Sequence, residues 1–184
     1  MKNTTHLIFG MLALTFGMEA MAQIQLPSVF SDGMVLQQNS KVAVWGWGNP
    51  SETLMILSEW NPGDTVRTVV DNQGRWKAEV PTGRAGGPYT LEVKGGNDSR
   101  KLSDVMLGEV WLCSGQSNME WSANMGIMNG EQEVKQAASP SVRIFHNPKQ
   151  GADTPKTDCR TKWRWLLPKV CARPVPLLTS LPAT

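Results

Sequence analysis

Between Gln23 and about Ser103 the chain is a series of short runs in which apolar and polar residues alternate, each closed by turn-forming residues. Val42 and Val44 alternate with small or polar neighbours, and Leu54, Ile56 and Ser58 continue in a second extended run. Val66–Val70 and Trp76–Val80 flank Asp71-Asn72-Gln73-Gly74, a turn cluster of hairpin length. Tyr89–Val93 is a further alternating run, stopped by Gly95-Gly96-Asn97-Asp98. A period of two sends alternate side chains to opposite faces, so these runs are half-buried strands. Short strands at this spacing predict a small antiparallel β-sandwich over residues 23–104. About 80 residues bury only roughly 60% of their unfolded surface, so large side chains count heavily. Trp45, Trp47, Trp60 and Trp76 are expected to supply much of the core. Trp45 and Trp47 also share one strand face, which would suit a sugar-stacking platform; core or interface filling is the preferred reading.

After Val105 the pattern changes. Val110–Cys113 is a compact apolar run, expected to be a buried strand with Cys113 as a small buried hydrophobe. It leads into a tight turn containing Gly115 and Ser117. Gly130–Ala138 is rich in helix formers and is closed by Ser139-Pro140, and Val142–Phe145 reads as a second strand. Strand, helix, strand is the opening of a parallel, doubly wound α/β sheet. A serine at the exit of such a strand projects its hydroxyl above the carboxyl end of the sheet, where α/β folds place their chemistry. Gly-x-Ser is a modest signal alone, and a plain strand-end turn remains open on spacing.

The first 22 residues have the layout of a cleaved export signal. Lys2 gives a positive start, Leu7–Phe16 an apolar stretch, and Ala20-Met21-Ala22 a small-x-small cleavage site. The stretch is too short to span a bilayer, and no cysteine follows the cleavage site to carry a lipid. The expectation is a product beginning at Gln23, exported to a periplasmic or extracellular location, with no membrane anchor. Cys113, Cys159 and Cys171 are odd in number and lack zinc-site spacing, so neither a disulfide framework nor a metal site is expected.

Charge is unevenly spread. Residues 23–142 hold 9 Lys/Arg against 13 Asp/Glu, whereas residues 143–184 hold 8 against 2. The basic end carries Pro168, Pro174, Pro176 and Pro182 and has no aromatic residue after Trp165. That is not a stacking platform for single strands, and no nucleic-acid partner is expected.

The wording around Ser117 is more specific than its spacing. "GEVWLCSGQSNMEW" (Gly108–Trp121) resembles the nucleophile block of the sialate O-acetylesterases, carbohydrate esterases of the SGNH/GDSL hydrolase superfamily. "LPSVFSDGMVLQQ" (Leu26–Gln38), "KVAVWGWG" (Lys41–Gly48) and "DNQGRWKAEVP" (Asp71–Pro81) are similar to that family's amino-terminal β-domain. The resemblance runs from about Gln25 to Trp163. It implies a β-sandwich followed by the start of an SGNH-type α/β esterase domain over 105–165. It implies Ser117 as catalytic nucleophile, and O-acetylated sialic acid or another acetylated glycan as substrate, with no metal or organic cofactor.

It also implies groups not found in these residues: later oxyanion donors, and a carboxylate–histidine pair to act as base. Only His6 and His146 are present. His6 lies in the signal, and His146 sits in a segment that the family has as ordinary sheet. Past Trp163 the resemblance ends in "RWLLPKVCARPVPLLTSLPAT", with four prolines, no acidic residue and no helical period. Residues 166–184 are expected to be an aberrant tail, from a reading-frame shift or a divergent terminus. The expected function is therefore a serine esterase in truncated, inactive form; the alternative is a non-catalytic glycan-binding β-module with a vestigial esterase segment.

Overall fold

A computed structural model describes residues 23–123, 125–126, 128–137, 139–167 and 179–180. The export signal and most of the tail lie outside the described residues. Seven strands build the first part: β1 (Val35–Gln37), β2 (Lys41–Trp47), β3 (Thr53–Ser58), β4 (Thr65–Val69), β5 (Arg75–Pro81), β6 (Gly86–Gly95) and β7 (Asp98–Gly108). Five of them form one sheet in the order β1-β7-β6-β3-β4, and β2 pairs with β5 in a second. The alternation read from sequence is the burial pattern observed. In β5, Trp76, Ala78 and Val80 point inward while their neighbours are exposed. The two sheets share one core, with Val44, Trp76 and Val80 from one and Leu54, Ile56, Leu91, Val93, Val105 and Leu107 from the other. Each fully buried aliphatic side chain contributes about 1.5–3 kcal/mol, which an 80-residue sandwich needs.

Four expectations are corrected here. The runs flanking Asp71–Gly74 do not form a hairpin: β4 pairs with β3, while β5 pairs with β2 in the other sheet. The turn is a corner between sheets. The Asp71 carboxylate accepts the backbone N–H groups of Arg75 and Gln73, each at 2.8 Å. Those bonds, the Arg75 one foremost, hold its carboxyl below the usual carboxylate range. The sheet is also not purely antiparallel, because β1 runs parallel to β7, with Val35 opposite Met106 and Gln37 opposite Gly108. β7 therefore continues to Gly108, past residue 104.

The tryptophan core is the third correction. Trp76 is 3% exposed, but Trp47 and Trp60 are half-buried and Trp45 is 38% exposed. Aliphatic residues fill the space that the indoles were expected to fill.

The fourth concerns the region after Gly108. Val110–Cys113 is not a strand; Trp111 and Leu112 are 57% and 82% exposed, and Cys113 is half-buried. The helix forms as α1 (Gly130–Gln136), but the next strand, β8 (Ser139–Phe145), finds no parallel neighbour. It pairs antiparallel with β9 (Trp163–Leu166) and with β10 (Thr179–Ser180). A parallel sheet needs neighbours on both edges and cover on both faces. Among the described residues Val110–Cys113 has neither, and β8 takes the partner that a chain reversal brings. The described chain is thus mostly β, with one short α-helix.

The small sheet is fastened to the sandwich. Trp163 donates its indole N–H to the Val29 carbonyl at 2.9 Å, and its ring lies 5.2 Å from that of Phe145. Asp158 accepts from the Ser28 N–H at 2.7 Å and the Ser28 hydroxyl at 3.2 Å. Arg143, only 5% exposed, donates to the Asp104 carbonyl at 2.5 Å and to its carboxylate at 2.8 Å. Its guanidinium also sits 5.6 Å from the centre of the Trp165 ring.

Candidate active site

Gln37 ends β1 and Gln38 follows it, and Glu109 follows the last residue of β7, so the parallel pairing of these strands brings the three together. The Glu109 carboxylate accepts the side-chain amides of Gln37 at 3.0 Å and Gln38 at 2.7 Å. The Gln37 amide oxygen in turn accepts the Val110 N–H at 2.9 Å, and that of Gln38 accepts the Ala85 N–H at 2.8 Å. The Gln37 donor, then the Gln38 donor, stabilises the ionised carboxylate and lowers its pKa. Two motifs that lie 72 residues apart, one ending in Gln37-Gln38 and one opening on Gly108-Glu109, form a single clamp. It fixes where the chain leaves the sheet.

Eight residues further on is Ser117. It opens a short 3-10 turn, Ser117–Glu120, with Gln116 extended before it at φ −96° and ψ −157°. Ser117 is exposed, as are Gly115, Gln116 and Asn118. The turn and the exposed serine agree with the sequence reading, whereas the strand that was to carry them is absent. Among the described residues no hydrogen bond joins Ser117 to a histidine or a carboxylate. His146 is half-buried just after β8, and no hydrogen bond ties it to Ser117. Among the described residues the turn that carries Ser117 thus has no base hydrogen-bonded to that serine. No group of three or more His, Cys, Asp or Glu among the described residues is placed to hold a metal ion.

A cleft of about 370 Å³ opens beside this segment, lined by Pro27, Val29, Trp45, Leu112 and Phe145 and by the loop of Asn147–Cys159. Its one sulfur, on half-buried Cys159, has its thiol pKa raised by burial and then by the Asp158 charge. Sequence reasoning did not find this cleft. Its walls come from segments a hundred residues apart, and only the alternate spacing of Trp45 and Trp47 hinted at it.

No known protein-family profile matches the chain. Among solved structures it is similar to a carbohydrate acetylesterase from Xanthomonas citri. The TM-score is 0.73 at 32% sequence identity, covering 83% of this chain and 35% of the other. The chain is likewise similar to part of the sialate O-acetylesterases. It is 32% identical to the mouse protein over 127 residues and 33% identical to the human protein over 129. Those matches cover 64% of this chain, which spans about a quarter of the length of these relatives (23% and 24%).

Proposed function

We propose that this chain carries the nucleophile segment of an exported SGNH-type serine esterase that removes O-acetyl groups from a glycan, sialic acid foremost. The observation that carries the reading is the Glu109 clamp. It anchors the "GEVWLCSGQSNMEW" segment to the sandwich and leaves Ser117 accessible on the turn beyond it. Relatives named as esterases support the hydrolytic class.

In this reaction the Ser117 hydroxyl attacks the acetyl carbonyl carbon while a base takes its proton. The tetrahedral oxyanion collapses, the sugar hydroxyl leaves with a proton, and water then releases acetate from the acyl-serine. A serine hydroxyl is a weak nucleophile until a base is beside it, and among the described residues no base is hydrogen-bonded to Ser117. By itself this chain is read as a poor esterase, for want of a base beside Ser117.

A chimera of residues 23–163 joined to the remaining part of the Xanthomonas citri acetylesterase tests the assignment. It should release acetate from O-acetylated sialic acid or a chromogenic acetyl ester. Ser117→Ala should remove that activity by up to about a millionfold, as in other serine hydrolases. Near-normal turnover in a folded Ser117→Ala chimera would overturn the assignment. Brisk turnover by the 184-residue chain alone would overturn the reading that it lacks a base.

A further inference from the structure

We infer that this chain pairs with a second copy of itself, each copy laying residues 109–142 against residues 147–167 of the other. The inference rests on exposure and charge, and is independent of any role for Ser117. Across the whole sandwich three large apolar side chains stand in water: Trp45, Met55 and Val69. Residues 111–128 alone expose five: Trp111 57%, Leu112 82%, Trp121 54%, Met125 49% and Met128 86%. At about 200 Å² for each large side chain, these five leave roughly 650 Å² of mostly apolar surface uncovered. Apolar area of that order marks an interaction surface on a folded chain. A standard interface buries about 800 Å² on each partner, so most of one side of an interface is present.

Charge selects the occupant. Residues 109–142 hold four Glu against one Lys, a net of −3. Residues 147–167 hold five Lys/Arg against two Asp, a net of +3 with Asp153 and Asp158 both counted. Glu131, Glu133, Arg160, Lys162 and Arg164 are all exposed. The basic face has bare apolar groups of its own, Trp165 and Leu167, each 50% exposed. The two faces are therefore opposite in charge and both apolar, and one copy supplies both. They also adjoin, because Leu112 and Lys156 line the same cleft. A twofold axis passing between them sets each face of one copy on its complement in the other, and such a pairing closes at two. An anionic lipid surface fits less well, because it repels the segment with the most exposed apolar area.

Sedimentation equilibrium of the purified chain reads the pairing directly. The mass should rise from one chain to two and stop there, with Kd near about 1 μM. Leu112→Glu with Met128→Glu alters side chains already exposed in the single chain. Circular dichroism should therefore match the parent, while Kd rises about tenfold or more. Reversing the acidic face (Glu131→Lys with Glu133→Lys) or the basic face (Arg160→Glu with Lys162→Glu) should each weaken pairing several-fold. Reversing both together should restore it, which indiscriminate apolar adhesion would not do. The inference fails if the chain stays monomeric at about 100 μM. It fails if the mass climbs past two copies without a plateau, or if Leu112→Glu with Met128→Glu leaves Kd unchanged. Failure of the combined reversal to restore pairing overturns it, as does binding to phosphatidylglycerol vesicles by a chain that forms no dimer.

Discussion

Replacing Arg143 by methionine keeps most of the buried stem and removes the guanidinium that joins β8 to β7. Two hydrogen bonds to Asp104 are lost, at 2.5 and 2.8 Å, together with the contact to Trp165. Breaking one side of a fully buried ion pair costs about 3–5 kcal/mol. The Arg143 side chain is 7% exposed, but that of Asp104 is 34% exposed, so water re-solvates part of the abandoned carboxylate. The Trp165 contact adds about 0.5–1 kcal/mol. Together these give a loss of about 2–3 kcal/mol, or a urea midpoint lower by about 1–2 M for a slope of about 1.5 kcal/mol/M. Urea unfolding followed by tryptophan fluorescence and by far-ultraviolet circular dichroism measures it. Trp163 and Trp165 sit beside the latch, so fluorescence should move first if the small sheet detaches alone. Asp104→Asn is the companion variant. Asp104 has φ +56°, which asparagine tolerates, and the amide oxygen still accepts one bond, so its cost should be less than half as large. An Arg143→Met unfolding free energy within about 0.5 kcal/mol of the parent would refute the idea that this pair fastens the two parts.

Two further predictions follow from the sandwich. Gly46 lies with no room for a methyl group, its Cα facing the Gln25 carbonyl and the Trp76 ring. Gly46→Ala should cost about 2–3 kcal/mol through overpacking, and a thermal midpoint unchanged from the parent would contradict that. The Glu109 clamp sets a pH dependence whose sign is fixed by its lowered pKa. Its contribution is present above the ordinary glutamate pKa of about 4.3 and is lost as pH falls below that value through the folded one. Glu109→Gln should therefore flatten the acid side of the stability profile between neutral pH and about pH 3, and parallel profiles for the two proteins would count against the clamp.

What the sequence revealed and what it concealed divide along a physical line. Alternation exposes which face of a strand is buried, so the inward set Trp76, Ala78 and Val80 was readable. Alternation does not say which strand is the neighbour. The turn at Asp71–Gly74 has the residues of a hairpin, yet β4 and β5 part there, β4 pairing with β3 and β5 with β2 in the other sheet. The parallel pairing of β1 with β7 was invisible for the same reason, as three residues carry no directional pattern. Ser117 was singled out by the wording of its segment, and the structure places it exposed on a turn. The strand expected before it was not formed, because an apolar run such as Val110–Cys113 becomes a strand only when an adjacent edge accepts it. The clamp of Gln37, Gln38 and Glu109 had no local signature: three polar residues in two distant motifs become a site only once β1 and β7 align.

The parallel β1–β7 pairing also bears on when the molecule becomes a molecule. Strand β1 is near the start of the sandwich, and among the described residues its one sheet neighbour is the last strand of it, about 70 residues later. At translation rates of about 5–20 residues per second, β1 waits roughly 4–14 s for that neighbour to be made. During that interval Val35 and Leu36, which end up 5% exposed, have no sheet to join. The order of synthesis thus leaves the opening strand as the final piece to be seated, and vectorial emergence of the chain, from a ribosome or through a membrane pore, sets the earliest moment of closure.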